Sequence, residues 1–177
     1  MARVQLIPID AREPKDLVAA IRKRRGGELS ELDRLLLHSA PFAEGWNDYL
    51  GVVRTKLSIS PMLRELAMCV VAVVNKAGYE LEGHLPLFIE NGGTAEQGRA
   101  IRDLENTLKD PKQFDAAGQA ALRLSYEMTK SVQVSDATFA AASESLGSTR
   151  AVVELIGVIA TYNMVSRFLV ALELHPA

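Results

Sequence analysis

Apolar residues recur along most of this chain at intervals of three and four positions, the spacing that places them on one face of an α-helix. Leu32, Leu35 and Leu36 form such a stripe within a short helix predicted over residues 30–38. Two longer segments, residues 60–76 and 149–172, are mostly apolar. Beyond Glu65 the first of these is apolar on nearly every side, which predicts that this helix is buried.

The ends of the predicted helices carry recognisable signals. Ser60 fits an N-cap and is followed by Pro61, which is favourable at the first helical position. Thr94 and Gln97 fit a capping box, and Ser135 is positioned to cap a later helix. The nine predicted helices cover approximately residues 14–25, 30–38, 41–53, 60–76, 79–91, 94–108, 113–130, 135–146 and 149–172.

Val, Ile and Thr are common in the fourth and ninth predicted helices, although these residues favour strands. Both segments are longer than typical strands, and no hairpin turn interrupts them. We therefore predict an all-α fold. Residues 1–13 are predicted to form an extended arm, because Pro8 is incompatible with a regular helix there, and residues 14–177 a single all-α domain.

Composition narrows the class of protein further. The chain has 177 residues, of which 48% are hydrophobic, so either the core is large or apolar surface is buried between subunits. The net charge of −2 lacks the basic excess of a nucleic-acid-binding protein. The single cysteine excludes an intramolecular disulfide. The longest uncharged apolar run, residues 66–74, is too short to span a bilayer, so we expect a soluble, cytoplasmic protein.

A basic run, residues 22–25, is the one local exception to this charge balance. Cations complement the dipole at the C-terminal end of a helix, and Gly26 and Gly27 follow directly. We interpret the run as a solvated helix end.

Glu80 and His84 are four residues apart, on one face of the fifth predicted helix. A carboxylate beside an imidazole is a minimal acid–base pair. A turn at residues 77–78 would place Glu65 on the facing helix, displaced from His84 by about 7.5 Å along the axis. That offset suits a bridging water or a substrate atom. On spacing alone, Glu80 and His84 also fit an ordinary pair on a helix surface.

The sequence around these residues resembles the carboxymuconolactone decarboxylase family, which includes the alkylhydroperoxidase D-like proteins. The family motif has a glutamate near the start of a buried helix and, about a helix length later, Cys-x-x-Cys-x-x-x-His. In this chain the glutamate falls on Glu65, the two cysteines on Ala77 and Glu80, and the histidine on His84. The segments HSAPFAEGWNDYLGVVRTKLSISPMLRELA and VVELIGVIATYNMVSRFLVALEL also resemble the family, so the resemblance covers roughly residues 38–175.

The resemblance implies an all-α bundle of the alkylhydroperoxidase D-like type that assembles as trimers or hexamers. The peroxidase branch uses the first cysteine to resolve and the second to attack peroxide, and both positions lack sulfur here. The branch that resembles the decarboxylase carries a glutamate in place of the second cysteine, as this chain does at Glu80. This implies cofactor-independent acid–base chemistry, a decarboxylation or a related lyase or isomerase reaction, on a small organic acid or lactone.

In that hypothesis His84 moves the proton. Glu80 either orients the imidazole of His84 or acts as the second acid–base group. Glu65 relays the proton through water. Two ligands, Glu80 and His84, are too few for a zinc site, and no phosphate-binding or nucleophile motif is present, so no metal and no cofactor are expected.

Tyr79, Tyr162 and Arg167 are candidate substrate-binding residues. The guanidinium of Arg167 suits a substrate carboxylate, although we favour an ion pair between subunits. The expected partners are a small-molecule substrate and further copies of the chain, without nucleic acid or membrane.

Two other functions stay open. Alkylhydroperoxidase-like peroxide reduction needs a thiolate, which here means Cys69 with His84 as its base. The favoured interpretation of Cys69 is an inert, buried apolar residue. A non-catalytic oligomeric binder of small molecules is the other alternative, and it predicts a pocket without perturbed titratable groups.

Overall fold

The computed structural model describes residues 2–176. Within that range the regular secondary structure is entirely helical, without a strand, and this confirms the all-α prediction. The helices are α1 (Lys15–Arg25), α2 (Glu31–Leu36), α3 (Ala40–Thr55), α4 (Pro61–Val74), α5 (Gly78–Glu90), α6 (Ala95–Arg102), α7 (Leu104–Thr107), α8 (Ala116–Ser131), α9 (Asp136–Leu146) and α10 (Thr149–Ala171).

One predicted helix, over residues 94–108, is two helices in the structure. The break lies at Asp103, whose backbone leaves the helical region at φ −104° and ψ 53°. Its carboxylate accepts hydrogen bonds from the side-chain amide of Asn106 at 3.1 Å. The Thr107 hydroxyl donates to the carbonyl of Ala100 at 2.7 Å. Local side-chain bonds of this kind compete with the regular helical ladder.

The helix caps match the sequence signals with one exception. Thr94 and Gln97 form the predicted capping box, and the Ser135 hydroxyl accepts from the backbone N–H of Thr138 at 3.3 Å. Ser60 is the N-cap residue of α4, as predicted, although its side chain makes no capping hydrogen bond. Pro61 follows at the start of the helix, where its missing N–H would have had no partner within the helix.

The chain divides into two compact units, one of residues 2–57 and 172–174 and the other of residues 58–171 and 175–176. In the first unit α1 and α2 both pack against α3. Residues 2–13 contain no helix, and the backbone N–H of Arg3 donates to the carbonyl of Leu172. The proposed division into an arm of residues 1–13 and a domain of residues 14–177 stays a prediction.

The basic run at the end of α1 is not simply solvated. Asp33, buried in α2, accepts hydrogen bonds from Arg25 at 2.9 and 3.2 Å and from Arg24 at 3.3 Å. The Arg22 guanidinium donates to the carbonyls of Ile9, Ala11 and Gly27. The prediction of a solvated helix end was therefore wrong for most of the run, because a buried carboxylate pairs with two of the arginines and backbone carbonyls accept from the third. Gly26 ends α1 with φ 85°, as its sequence position predicts.

In the second unit α4 is the central helix. It packs against α5, α6, α8 and α10, and α9 packs on α8 and α10. Residues 66–71 of α4 are completely buried, which confirms the predicted burial for the middle of this helix. Any polar side chain on α4 is thus held among apolar neighbours.

Helix α10 has the length and apolar composition of a membrane span, with a mean hydropathy of 1.4. Half of its apolar window is buried, and it packs against α4, α8 and α9. The core helix of a soluble protein has these same properties, and we interpret α10 in that way.

A carboxylate on α10 anchors the segment that leads into α4. Glu154 accepts hydrogen bonds from the backbone N–H groups of Ser58 and Ile59 at 2.7 and 2.8 Å, and from the Ser58 hydroxyl. Arg150 donates to its other oxygen at 2.9 Å. Partial burial opposes ionisation, but these donors outweigh it and lower the pKa of Glu154 to about 2.

We expect Glu154→Gln to lower the free energy of unfolding at pH 7 by about 1–2 kcal/mol, because hydrogen bonds to a charged group are replaced by weaker ones. A lowered carboxyl pKa stabilises the fold above its ordinary value near 4.3, and that stability is lost as the pH falls toward about 2. Chemical denaturation at several pH values measures this. The exposed Glu144→Gln is the matched control, and equal losses in both variants would contradict the anchoring role.

Candidate active site

The two helices that carry the predicted acid–base residues are joined by a tight turn. Helix α4 ends at Val74, and the turn continues through Asn75 and Lys76, whose φ is 57°. The N–H of Ala77 donates to the carbonyl of Ala72 at 2.8 Å, and that of Lys76 to Val73 at 3.1 Å. These bonds form a Schellman motif, with Lys76 in the left-handed position that glycine usually takes.

This turn brings Glu65 and His84 closer than the sequence predicted. Because the turn is centred on Lys76, His84 lies level with position 68, and Glu65 is only three residues further, about 4.5 Å along the axis. The imidazole Nδ1 lies 2.6 Å from Glu65 Oε2, a direct hydrogen bond. The predicted 7.5 Å offset with a bridging water was wrong, because the predicted turn was placed one to two residues too late.

Glu80 completes the cluster from the same helix as His84. Its Oε2 lies 3.3 Å from His84 Nε2, an ion-pair distance, but the geometry falls short of a hydrogen bond. Glu65, Glu80 and His84 are exposed by only 4%, 3% and 6%. The alternative of an ordinary pair on a helix surface was therefore wrong, since all three side chains are buried.

Two opposing effects act on the imidazole. Burial favours the neutral form, but the hydrogen bond to Glu65 and the negative charges of both carboxylates outweigh burial and raise the pKa of His84. The protonated ring then donates Nδ1–H to Glu65. A raised histidine pKa stabilises the fold fully below the ordinary value near 6.5, and that contribution is lost as the pH rises through the folded-state pKa.

Arg64 extends the cluster on the other side of Glu65. Its Nε lies 3.5 Å from Glu65 Oε1, while Glu65 Oε2 is bonded to His84. The Arg64 side chain is 13% exposed, against 5% for Glu65 and 8% for His84. The charged groups thus follow one another in the order Arg64, Glu65, His84, Glu80.

Helix α10 supports the cluster with two neighbouring residues. The Tyr162 ring is fully buried and packs edge-to-face on the imidazole, with ring centroids 5.0 Å apart. The Asn163 amide donates to Thr129 at 2.9 Å and accepts from Asn75 at 3.1 Å. Asn163 thereby ties the end of α4 to α8 and α10, close to the turn that sets the position of His84.

The other candidate residues lie at different distances from this cluster. Tyr162 is in direct contact with His84, and Tyr79 is half-buried at the start of α5, next to Glu80. Arg167 donates to the Asn163 side chain at 2.7 Å, so its connection to the cluster is indirect. Substrate binding by these three residues stays a prediction.

Cys69 is completely buried in the middle of α4. Burial raises the pKa of its thiol, and the charges of Glu65 and Glu80 add to that effect. A thiolate is therefore strongly disfavoured at this position. The environment agrees with the interpretation of Cys69 as a buried apolar residue.

Sequence reasoning left part of the site unassigned. Asn163 is a polar residue in an apolar helix, which signals a need for partners, but its partners Thr129 and Asn75 carry no such signal. The sequence also did not assign Arg64 to the site. Among residues 2–176 the structure shows no group of three or more His, Cys, Asp or Glu side chains arranged to hold a metal ion.

Part of the chain, including the helices of this site, matches a known protein family. Residues 40–122 match the model of the carboxymuconolactone decarboxylase family. These residues belong to that family. The matched segment includes α4 and α5. It therefore contains Glu65, Glu80 and His84, the three residues on which the sequence resemblance to the family was based.

Two solved structures share the fold of this chain. An uncharacterized peroxidase-related protein from Silicibacter sp. TM1040 is 18% identical, with a TM-score of 0.80 over 99% of this chain and 92% of that chain. A cysteine-to-alanine variant of the debrominase Bmp8, in complex with 2,3,4-tribromopyrrole, is 13% identical, with a TM-score of 0.77 over 98% of this chain and 92% of that chain. Both likenesses concern the fold. A search of curated proteins gave no match.

We expect Glu65→Gln to lower the pKa of His84, because the variant removes a negative charge and leaves burial to dominate. NMR titration of the imidazole resonances measures the shift. Glu82→Gln is the matched control, since Glu82 lies on the same helix but is half-exposed and pairs with Arg102. An unchanged His84 pKa in Glu65→Gln would show that the 2.6 Å contact does not hold the proton.

Proposed function

We propose that the chain is a cofactor-independent acid–base enzyme that decarboxylates, or carries out a related lyase or isomerase reaction on, a small organic acid or lactone. The observation that carries the proposal is the buried imidazole held between two carboxylates, 2.6 Å from Glu65 and 3.3 Å from Glu80. Perturbed titratable groups of this kind are typical of active sites. Membership of the carboxymuconolactone decarboxylase family supports the same chemistry.

The two carboxylates have different roles in this proposal. Glu65 is bonded to Nδ1, so it fixes the orientation of the ring and stabilises the imidazolium. Glu80 Oε2 is buried and without a hydrogen-bond partner, so it is the oxygen available to a reacting group. Glu80 is therefore the acid–base group next to the substrate, and His84 supplies its proton. Of the two roles considered from the sequence for Glu80, the geometry favours this one.

A decarboxylation at this site needs one proton. The bond between the carboxylate carbon and its neighbour breaks, carbon dioxide leaves, and the bonding electrons remain on the substrate as an enolate. The Nε2–H of the His84 imidazolium supplies a proton to Glu80 Oε2, and Glu80 passes it to the enolate carbon. Glu80 thus begins and ends the step as a carboxylate, and solvent restores the imidazolium.

We expect His84→Gln to lower the rate of carbon dioxide release by about 100-fold or more, the usual contribution of a general acid–base group. The assay screens small carboxylated lactones and keto acids with the wild type, then compares variants on any compound that reacts. His175→Gln, at an exposed position, is the matched control. Full activity in a folded His84→Gln protein would end the proposal, and Glu80→Gln is expected to be similarly slow.

Peroxide reduction is the second candidate function, and the peroxidase-related fold neighbour is its support. It needs a thiolate, and complete burial of Cys69 weighs against one. We expect the wild type to consume no alkyl hydroperoxide with a thiol reductant, and Cys69→Ser to behave identically. Consumption that depends on Cys69 would reverse the order of the two functions.

A non-catalytic small-molecule binder is the third candidate. It predicts that His84 titrates near its ordinary pKa, whereas an active acid–base site predicts a raised one.

We also propose a cytoplasmic homo-oligomer, a trimer or hexamer. The exposed apolar residues Val153 and Met164, which share one face of α10, support burial of that face between subunits.

A further inference from the structure

Arg64 is a largely buried cation that pairs with Glu65 but lacks a hydrogen bond at its Nε. Its side chain is 13% exposed, and its Nε is fully buried without a hydrogen-bond partner among the described residues. The contact to Glu65 Oε1 at 3.5 Å does not meet hydrogen-bond geometry. A buried donor on a charged group is costly to leave unpaired, so the Nε–H is positioned for a group from outside the chain.

The position of Arg64 in the cluster indicates where that group enters. Arg64 is the most exposed of the four charged side chains, and exposure falls to 4–8% at Glu65, His84 and Glu80. Arg64 is therefore the member of the cluster with the most contact with solvent. Glu65 Oε1, the oxygen that faces Arg64, lies 3.5 Å from its Nε without hydrogen-bond geometry, so Glu65 leaves this donor unbonded.

At the opposite end of the cluster, a buried hydrogen-bond acceptor lacks a partner. Glu80 Oε2 is a buried acceptor without a donor, and Arg64 Nε is a buried donor without an acceptor. Both belong to one connected group of charged side chains. The anionic group of a substrate would satisfy the Arg64 end of this group.

We propose that Arg64 binds the carboxylate of the substrate and thereby selects organic acids over neutral molecules of the same shape. The proposal rests on the proposed function, because it takes the His84 cluster as the active site. A guanidinium is the side chain best suited to a carboxylate, since its donors match the two oxygens. Arg64 is in this view a binding residue, distinct from the proton-transfer pair.

The test uses three carboxylates, acetate, succinate and benzoate, each paired with its neutral amide. Isothermal titration calorimetry measures affinity, and the NMR signals of the His84 imidazole report whether the probe lies at the site. We expect at least one carboxylate to shift those signals saturably and to bind about 10-fold or more tightly than its amide. Arg64→Gln should remove this preference, and Arg64→Lys should keep part of it.

Arg123→Gln is the matched control, because Arg123 lies on α8 and bonds the carbonyl of Leu108 on the exposed surface. It should leave the preference unchanged. Equal affinity for acids and amides in the wild type, no binding of any acid, or binding that leaves the His84 signals unmoved would each overturn the proposal. The wild-type comparison holds even if Arg64→Gln does not fold.

Failure of this proposal is distinguishable from failure of the proposed function. His84→Gln removes proton transfer but retains Arg64, so it should still bind carboxylates more tightly than amides. Loss of turnover in His84→Gln together with no acid preference in the wild type would overturn the role of Arg64 alone. An acid preference with full turnover in His84→Gln would overturn the acid–base function alone.

Discussion

The hydrogen bond between Glu65 and His84 is the interaction on which the site depends. It joins α4 to α5 at 2.6 Å between two side chains that are almost completely buried. Removing one partner of a buried charged pair typically costs about 3–5 kcal/mol, because the other charge is left uncompensated. The pair therefore persists only if the two helices keep their register. The rest of the second unit supplies that register, through the Schellman turn at Lys76 and through Asn163, which bonds both Asn75 and Thr129.

A consequence of this arrangement is that the imidazole has little freedom to move. Glu65 holds Nδ1, Tyr162 packs against the ring edge-to-face, and Glu80 lies beside Nε2. A preorganised proton carrier of this kind needs no reorganisation when charge develops next to it, which is the usual advantage of a buried site. Each buried polar residue that supports the imidazole must itself have hydrogen-bond partners. Asn163 has partners on α8, on α10 and in the turn after α4, and its neighbour Tyr162 is positioned by α10.

Most of the fold follows from local sequence signals, and the exceptions have physical causes. Helical periodicity and caps such as Thr94 and Ser135 predict elements that the structure contains. The break at Asp103 escaped prediction because it arises from short polar side chains that bond locally. At the site, the i,i+4 spacing identified Glu80 and His84, the register of the helix hairpin placed Glu65 opposite them, and the family resemblance supported all three. The direct Glu65–His84 bond could not be predicted, since it depends on a turn position that one residue in the left-handed conformation decides.

The residue at position 80 decides which chemistry this helix pair supports. In the family motif this position carries the cysteine that attacks peroxide, and a thiolate there transfers electrons. A carboxylate at the same position cannot be oxidised in that way, but it lies 3.3 Å from the imidazole four residues later, a distance that suits proton exchange. Cys69, the one cysteine of the sequence, lies among apolar side chains of α4, where burial raises the pKa of its thiol. In the function we propose, the scaffold retains the histidine and the supporting glutamate of the motif, and Glu80 directs them to acid–base chemistry. In the same proposal Arg64, at the more exposed end of the cluster, selects the charge of the molecules that bind there.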